Sequence, residues 1–457
     1  MLNVLINVMS ANLAALVMKM ISGFVFPQFM TTQAYADYQT FSLYLSYIPI
    51  LSIGFPTGMF VQYGGRSFSQ IDKARYKSEV HILVVILCFF TVLFDVIWLF
   101  VPNRMLLYMT LCILPYCLVC SYQSLYQAWG EFHKYTRTHV LTMAVPLLGS
   151  ALLYLVLGKL EAEYFIFLFI TIYVFYALAI LYRAAGVTRS VVRTPYFDKV
   201  NLQTLKVGFS ICIGNYINVL FHSVDKQFVK LIFDTTSFAQ YSFGLSLQSI
   251  VMVFITSAAQ PMYHFLASRQ VDQKRYNIVM RLLLMLGTCA GIAYHTCRVV
   301  VTWLVPKYTH SLDVIAVYFA AFPAMAVINC LYINLYKLTK QTKQYVYTLA
   351  GVLLLSVGLN GLFVFCRWEA TSITFATVIV YYAWLLWDAR RFRSLHFGIR
   401  DGVFLTGYLA AYLISLQIPN AVPAAAVYGL LVVLVCITVY KNEVRFALEL
   451  ARQKLRN

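Results

Sequence analysis

One apolar stretch of the sequence, residues 205–233, contains a run of polar side chains. The run consists of two amides, an imidazole, a carboxylate and two ammonium groups: Asn215, Asn218, His222, Asp225, Lys226 and Lys230. Steps of three or four residues place most of them on one face of a helix. Amide and ammonium groups can bind an anion, and a carboxylate can carry a proton or a cation. A polar face of this kind predicts a lining for water or for a polar ligand.

Further ionisable residues lie within other apolar stretches: Lys19, Asp95, His295 and Arg298. Each costs about 3 kcal/mol to insert into a bilayer, so each needs a physical reason. At 1.5 Å per residue, four side chains lie about 6–10 Å to the external side of their span midpoints: Lys19, Lys226, His295 and Arg298. We therefore predict a phosphate or diphosphate site in a cleft, built from Lys19, Lys226 and Arg298 with support from Asn215 and Asn218.

Other roles for these residues stay open. Lys226 could instead pair with Asp225, which would then be a counter-ion. Asp225 or Asp95 could carry a coupling proton or cation, and His222 or His295 could titrate during a cycle. For both histidines, the alternative is a hydrogen-bonded core side chain.

The whole chain has the composition of a membrane protein. Of its 457 residues, 61% are hydrophobic and 11% charged. Apolar runs of about 20 residues, long enough to cross the hydrocarbon core as helix, recur throughout. The segmentation predicts fourteen transmembrane helices: 4–26, 38–61, 79–101, 105–127, 139–158, 163–182, 205–233, 238–260, 278–304, 312–336, 346–366, 370–388, 402–418 and 421–440. Continuous apolar runs exclude the alternation of a β-barrel, so the predicted fold class is all-α integral membrane.

The net charge of +18 is distributed unequally between the two sides of the predicted spans. Loops on the side of the termini contain 25 lysines and arginines, and the opposite loops contain four. This asymmetry predicts that both termini are cytoplasmic and that basic loops contact anionic lipids. Nucleic acid is not an expected partner.

An internal repeat divides the spans into halves. Ile71-Asp72-Lys73-Ala74-Arg75-Tyr76 recurs as Val271-Asp272-Gln273-Lys274-Arg275-Tyr276, and Leu125-Tyr126 with Tyr135 and Thr138 recurs as Leu335-Tyr336 with Tyr345 and Thr348. Six spans per half predict two parallel lobes, residues 1–200 and 201–400, around a central cleft. Residues 401–457 would add two helices and a basic cytoplasmic tail.

Two arginines at the basic side each follow a span and a preceding proline: Arg66 after Pro56 and Arg269 after Pro261. They predict either a cytoplasmic gate that captures an anionic head group or simple membrane anchoring. The sequence contains no nucleotide-binding, metalloprotease or nucleophile-elbow motif. No catalytic residue, metal site or cofactor is therefore predicted, and transport would use an ion or substrate gradient.

Several segments resemble the oligosaccharide flippases of the multidrug/oligosaccharidyl-lipid/polysaccharide exporter superfamily. They are Leu205-Lys206-Val207-Gly208-Phe209-Ser210, Asp225-Lys226-Gln227-Phe228-Val229, Ala239-Gln240-Tyr241-Ser242, Val305-Pro306-Lys307-Tyr308 and the loop 127–135. The resemblance covers nearly the whole chain. The turn 27–38 departs from the family because it has no lysine or arginine.

The resemblance implies a transporter that moves an undecaprenyl-diphosphate-linked O-antigen or capsule repeat unit across the bacterial cytoplasmic membrane. It implies alternating access of two lobes, with a coupling H⁺ or Na⁺ and polysaccharide polymerase machinery as further partners. The alternatives are a drug or peptidoglycan-precursor exporter of the same fold and, from another class, a membrane-embedded polymerase or ligase. The short external loops and the repeat argue against an enzyme.

Overall fold

The computed structural model describes residues 17–192, 195–196, 198–268, 273–392, 397–445 and 449. Contacts divide the chain into two compact units, unit 1 (residues 1–223) and unit 2 (residues 224–457). Unit 1 is formed by α1 (17–29), α2 (Thr32–Leu45), α3 (Phe55–Tyr63), α4 (Lys73–Phe100), α5 (Arg104–Ala128), α6 (Phe132–Leu157), α7 (Ala162–Thr188) and most of α8 (Lys199–Ile232). Unit 2 continues with α9 (Thr235–Ser268), α10 (Gln273–Leu304), α11 (Ser311–Phe319), α12 (Phe322–Val327), α13 (Ile333–Leu338), α14 (Thr342–Phe365), α15 (Ala370–Arg391), α16 (Ile399–Leu416) and α17 (Ala421–Val439).

Among the described residues, eleven helices are long and apolar enough to cross a membrane, or up to thirteen spans if two bent pairs are included. The all-α integral-membrane fold class predicted from the sequence is confirmed. The first predicted span, 4–26, lies mostly outside the described residues.

The second predicted span is broken rather than straight. The helical segments Thr32–Ser52 and Phe55–Tyr63 meet at 64°, with Gly54 in the left-handed conformation at φ +74° between them. Pro49 and Pro56 each lack a backbone N–H, so neither can donate the hydrogen bond that continues a helix. The Pro49 carbonyl accepts side-chain hydrogen bonds, from Ser52 Oγ at 2.7 Å and from Tyr216 Oη at 3.4 Å.

The tenth predicted span is broken in a similar way. Ser311–Phe319 and Phe322–Leu338 meet at 57°, beside Pro323, and a π-helical turn follows at Ile328–Tyr332. Three tyrosine hydroxyls donate to carbonyls freed at the break: Tyr412 to Ala316 at 2.9 Å, Tyr408 to Phe319 at 3.0 Å and Tyr382 to Ala320 at 2.7 Å. A bilayer core offers no water to these carbonyls, so the tyrosines satisfy them internally.

The internal repeat is matched by equal backbone geometry at two loops. In unit 1, the Trp129 and Glu131 amides donate to the Leu125 and Tyr126 carbonyls. In unit 2, the Thr339 and Gln341 amides donate to Leu335 and Tyr336 in the same pattern. Gly130 and Lys340 both have positive φ, +74° and +54°, as helix C-terminal turns of this type require.

Helices α16 and α17 pack against each other and against α10. Arg281 on α10 donates to Asp401 Oδ1 at 2.9 Å and to Glu443 Oε1 at 2.7 Å. Tyr440 Oη also donates to Asp401, at 2.8 Å. The predicted C-terminal pair is thus part of unit 2, and a buried ion-pair network holds it to α10.

Candidate functional site

The most enclosed acidic group among the predicted site residues is Asp225, which is 6% exposed. Three neutral side chains donate to its carboxylate: Asn360 Nδ2 at 2.8 Å, Ser356 Oγ at 3.4 Å, and Thr377 Oγ1. They come from α14 and α15. No ion pair to Asp225 occurs within the described ranges, so its contacts are not those of a lysine counter-ion.

Asn360 also carries an unsatisfied acceptor. The residue is fully buried, and its Oδ1 has no hydrogen-bond partner in the described part of the chain. Buried polar atoms are normally paired, so an unpaired one calls for an explanation. A carboxylate with amide and hydroxyl oxygens around it has the ligand chemistry that hard cations prefer, and a proton on the carboxyl is the other solution. We refer to Asp225, Ser356, Asn360 and Thr377 as the Asp225 cluster.

The two lysines that follow Asp225 on α8 are half-buried. Lys226 Nζ lies 5.8 Å and Lys230 Nζ 4.9 Å from the ring centroid of Phe238 on α9. Both distances are within the range at which an ammonium group is attracted to an aromatic face. The Phe238 ring therefore contributes a favourable contact to both ammonium groups.

His295 and Arg298 contact the end of α16. His295 is 1% exposed, and its Nε2 lies 3.1 Å from Ser415 Oγ. The Arg298 guanidinium donates to the Ile418 carbonyl at 3.2 Å and to the Pro419 carbonyl at 2.6 Å. Both carbonyls belong to the loop directly after α16, where a cation also complements the negative end of the helix dipole. Arg298 thus has a structural role here, whether or not it also binds an anion.

The remaining predicted site residues of unit 1 are mostly accessible. Lys19, Asp95, Asn215 and His222 are exposed, and Asn218 is half-buried. The predicted anion site draws Lys19, Asn215 and Asn218 from unit 1, and Lys226 and Arg298 from unit 2, and it stays a prediction.

Of the two predicted gate residues, Arg66 lies at a cavity and Arg269 lies outside the described residues. The cavity, of about 380 Å³, is lined by Arg66, Arg75, Gln62, Gln203 and Thr204, among others. Arg75 Nε donates to the buried Glu79 at 3.1 Å, and Thr204 Oγ1 donates to Gln62 Oε1 at 2.7 Å. Arg66 makes no side-chain hydrogen bond or ion pair with the described residues, so its charge is available to a ligand.

Sequence reasoning missed Glu79, Ser356, Asn360 and Thr377. A signal for part of this set exists in the sequence: Ser356 and Asn360 are four residues apart inside an apolar span, which places them on one helical face. Their relation to Asp225, more than 130 residues away, has no local signature. Among the described residues, there is no group of three or more His, Cys, Asp or Glu side chains that could hold a metal ion.

No protein-family model matches the sequence, and no curated protein matches it. Among solved structures, the fold is similar to that of a protein described as Lipid II flippase MurJ, in an inward closed conformation. The TM-score is 0.64 at 11% sequence identity, and the match covers 97% of this chain and 100% of that chain. At this identity the likeness establishes a shared fold.

Proposed function

We propose that the protein is a secondary transporter of the multidrug/oligosaccharidyl-lipid/polysaccharide exporter superfamily that flips a lipid-linked saccharide across a membrane. The observation that carries the proposal is the fold shared over 97% of the chain with a flippase. The cations and amides within the spans add to it, because a flippase must replace the hydration of a charged, sugar-bearing head group.

The proposed substrate is an undecaprenyl-diphosphate-linked oligosaccharide repeat unit for surface polysaccharide synthesis. Lys19, Lys226 and Arg298 would bind the diphosphate, with Asn215 and Asn218 donating further hydrogen bonds. Arg66 and Arg269 would capture the head group from the cytoplasmic leaflet. The polyprenyl tail can stay in lipid while two lobes alternate their exposure.

The Asp225 cluster is the proposed coupling site. Its carboxylate, its buried hydroxyls and the unpaired Asn360 Oδ1 suit either H⁺ or Na⁺. A bound ion shifts a conformational equilibrium only as far as its affinity differs between the two states. Three helices, α8, α14 and α15, supply this cluster, so its occupation can bias their packing. Asp95 and His222 remain further candidates for a titrating role.

A peptidoglycan precursor is an equally consistent substrate, because the protein of shared fold is described as a Lipid II flippase. A drug exporter is less favoured, since the predicted cavity residues include more bases than acids. We further propose the bacterial cytoplasmic membrane as the location, with both termini cytoplasmic, and polysaccharide polymerase machinery as a partner.

The test is flipping of fluorescent undecaprenyl-diphosphate oligosaccharide and of fluorescent Lipid II in proteoliposomes. Lys19→Ala and Lys226→Ala are compared with Lys159→Ala, an exposed lysine of a predicted external loop. We expect loss of flipping in the first two variants and wild-type rates in the third. Wild-type protein that moves neither lipid, or that moves an organic cation instead, would overturn the proposal. The lipid that is moved faster decides between the two substrates.

A further inference from the structure

Unit 1 contains a second cavity, of about 340 Å³, at the basic end of α4, α5 and α7. Its volume lies within the range of roughly 300–1,000 Å³ that small-molecule sites occupy. Six aromatic residues line it: Phe68, Tyr76, Tyr122, Tyr126, Trp129 and Tyr182. Its charged lining residues are Glu131, Lys134 and Arg183, and α8 contributes no residue to it.

The indole of Trp129 is the central element of this aromatic pocket. Its ring centroid lies 4.8 Å from that of Phe68 and 5.9 Å from that of Tyr126. The side chain is 7% exposed, and its Nε1–H has no hydrogen-bond acceptor within the described ranges. The hydroxyls of Tyr76 and Tyr122, by contrast, bond each other at 2.6 Å. A buried donor without an acceptor is unfavourable, and a ligand oxygen that reached it after a small shift of the neighbouring side chains would remove this cost.

At the repeated loop of unit 2, the equivalent tyrosine, Tyr336, has different neighbours. Thr339 stands where unit 1 has Trp129, and Tyr336 packs against Phe392 at a centroid distance of 4.9 Å. The Tyr336 hydroxyl donates to Asp388 at 2.6 Å and lies 3.1 Å from Thr348 Oγ1. The two copies of the turn therefore share their backbone geometry but differ in side chains, and Trp129 with its aromatic neighbours occurs in the unit 1 copy.

We infer that this aromatic pocket is a saccharide-binding subsite that accepts a pyranose of the transported head group. The C–H face of a pyranose packs on the electron-rich face of an aromatic ring, and its hydroxyls need both donors and acceptors at the edge. The Trp129 N–H, the Arg183 and Lys134 donors and the Glu131 carboxylate supply both kinds.

The charges argue against a cationic ligand. Glu131 is already paired with Lys134 at 2.7 Å, and the lining has two cations for one carboxylate. A quaternary ammonium group would meet net repulsion there, although aromatic cages otherwise suit it. The inference rests on the proposed function in taking the sugar to be part of the lipid-linked substrate.

The test measures binding apart from transport. Saturation-transfer NMR is recorded on the full-length protein in nanodiscs with the soluble repeat-unit oligosaccharide, free of diphosphate and lipid. Trp129→Leu removes the ring and the donor. Gly186→Leu narrows the pocket from α7, because Gly186 lines it and a Cβ there meets nothing within 4 Å. Gly361→Leu, at an equally open position of α14, is the matched control.

We expect the oligosaccharide to bind wild type and Gly361→Leu, and to bind both pocket variants about tenfold more weakly, as loss of a stacking contact and a hydrogen bond predicts. Unchanged binding in both pocket variants would overturn the inference. So would pocket-dependent binding of uridine monophosphate alone, which would indicate a nucleobase site. If the protein binds the sugar through this pocket but flips no lipid-linked glycan, the proposed function is refuted and the saccharide-binding site stands.

Discussion

The carboxylate of Asp225 accepts a 2.8 Å hydrogen bond from the side-chain amide of Asn360, whose own Oδ1 is buried and unpaired in the described part of the chain. The amide therefore offers its N–H to the carboxylate and leaves an oxygen free beside it. A small cation that entered would bind oxygens already fixed by three helices, which limits the conformational entropy lost on binding.

Asp225→Asn should abolish ion coupling while keeping the fold. An amide is nearly isosteric with the carboxylate and can still accept from Thr377 and Asn360, but it can neither titrate nor neutralise a cation. At a hundredfold excess of Na⁺ over its Kd, a specific site would stabilise wild type by about 2.7 kcal/mol. Thermal unfolding in Na⁺ and in choline, followed by flipping under Na⁺ and pH gradients, measures both effects.

The matched control is Asp313→Asn, since this carboxylate is 70% exposed near the start of α11. We expect it to behave as wild type. Equal ion dependence in wild type and Asp225→Asn would exclude the Asp225 cluster as the coupling site.

Arg298→Ala should lower the free energy of unfolding by about 1–3 kcal/mol, because the Ile418 and Pro419 carbonyls lose their donor. Arg298→Lys should recover part of this loss, since one ammonium group cannot reproduce the two-pronged guanidinium contact. Flipping is then measured per folded protein. A lower flipping rate per folded protein in Arg298→Ala would support a role of Arg298 in anion binding. An unchanged rate per folded protein would contradict that role and leave only the contact with the loop after α16.

Gly208→Ala should destabilise unit 1 because α3 and α8 touch there through their backbones. A Cβ at Gly208 would lie 2.1 Å from the Gly54 carbonyl oxygen, a contact that neither backbone can relieve locally. Overpacking of this kind costs about 1–3 kcal/mol. Gly351→Ala is the comparison, because a Cβ there meets nothing within 4 Å, and it should stabilise α14 by up to about 1 kcal/mol. Equal thermal stabilities of the two variants would contradict the close packing of α3 on α8.

Asp401→Asn should release the C-terminal helices from α10. Asp401 is fully buried and bonded to Arg281 and Tyr440, and breaking a buried pair from one side costs about 3–5 kcal/mol. Arg400→Gln removes a 3.5 Å contact to Glu443 and a 2.6 Å hydrogen bond to the Val439 carbonyl, and the Arg400 side chain is 42% exposed. It should cost less, about 0.5–1.5 kcal/mol. Limited proteolysis of the loop before α16 gives a second measurement, and unchanged cleavage in Asp401→Asn would refute this role.

The predicted spans and the structure differ most at the two broken helices. Hydropathy shows how apolar a stretch is but not whether the helix bends within it. Hydropathy alone therefore predicts one helix for residues 38–61 and one for residues 312–336. Pro49, Pro56 and Pro323 mark sites where a helix can break. The breaks persist because Tyr216 donates to the carbonyl of Pro49 and tyrosines 382, 408 and 412 donate to those near Pro323, and these partners lie far along the chain.

The candidate site divides in the same way. Asp225, Lys226 and Arg298 could be selected from the sequence because a charge in an apolar span is costly wherever it lies. Their partners could not, because Asn360, Phe238 and the Pro419 carbonyl reach them only through packing. Arg298 is the clearest example. Its charge predicts a phosphate-binding role, but in the structure its guanidinium donates to the carbonyls that follow α16.

The sequence alone determined that this is a helical membrane protein, and its internal repeat predicts two lobes. In a bilayer, a stretch of about 20 apolar residues satisfies its own backbone hydrogen bonds only as a helix. This constraint acts within the stretch itself and needs no partner elsewhere in the chain. The tertiary structure decided which buried groups meet: Asp225 with Asn360, Arg281 with Asp401, and Trp129 with the four rings of Phe68, Tyr76, Tyr122 and Tyr126. These pairings depend on how helices distant in sequence pack, which no spacing of residues along one helix reveals.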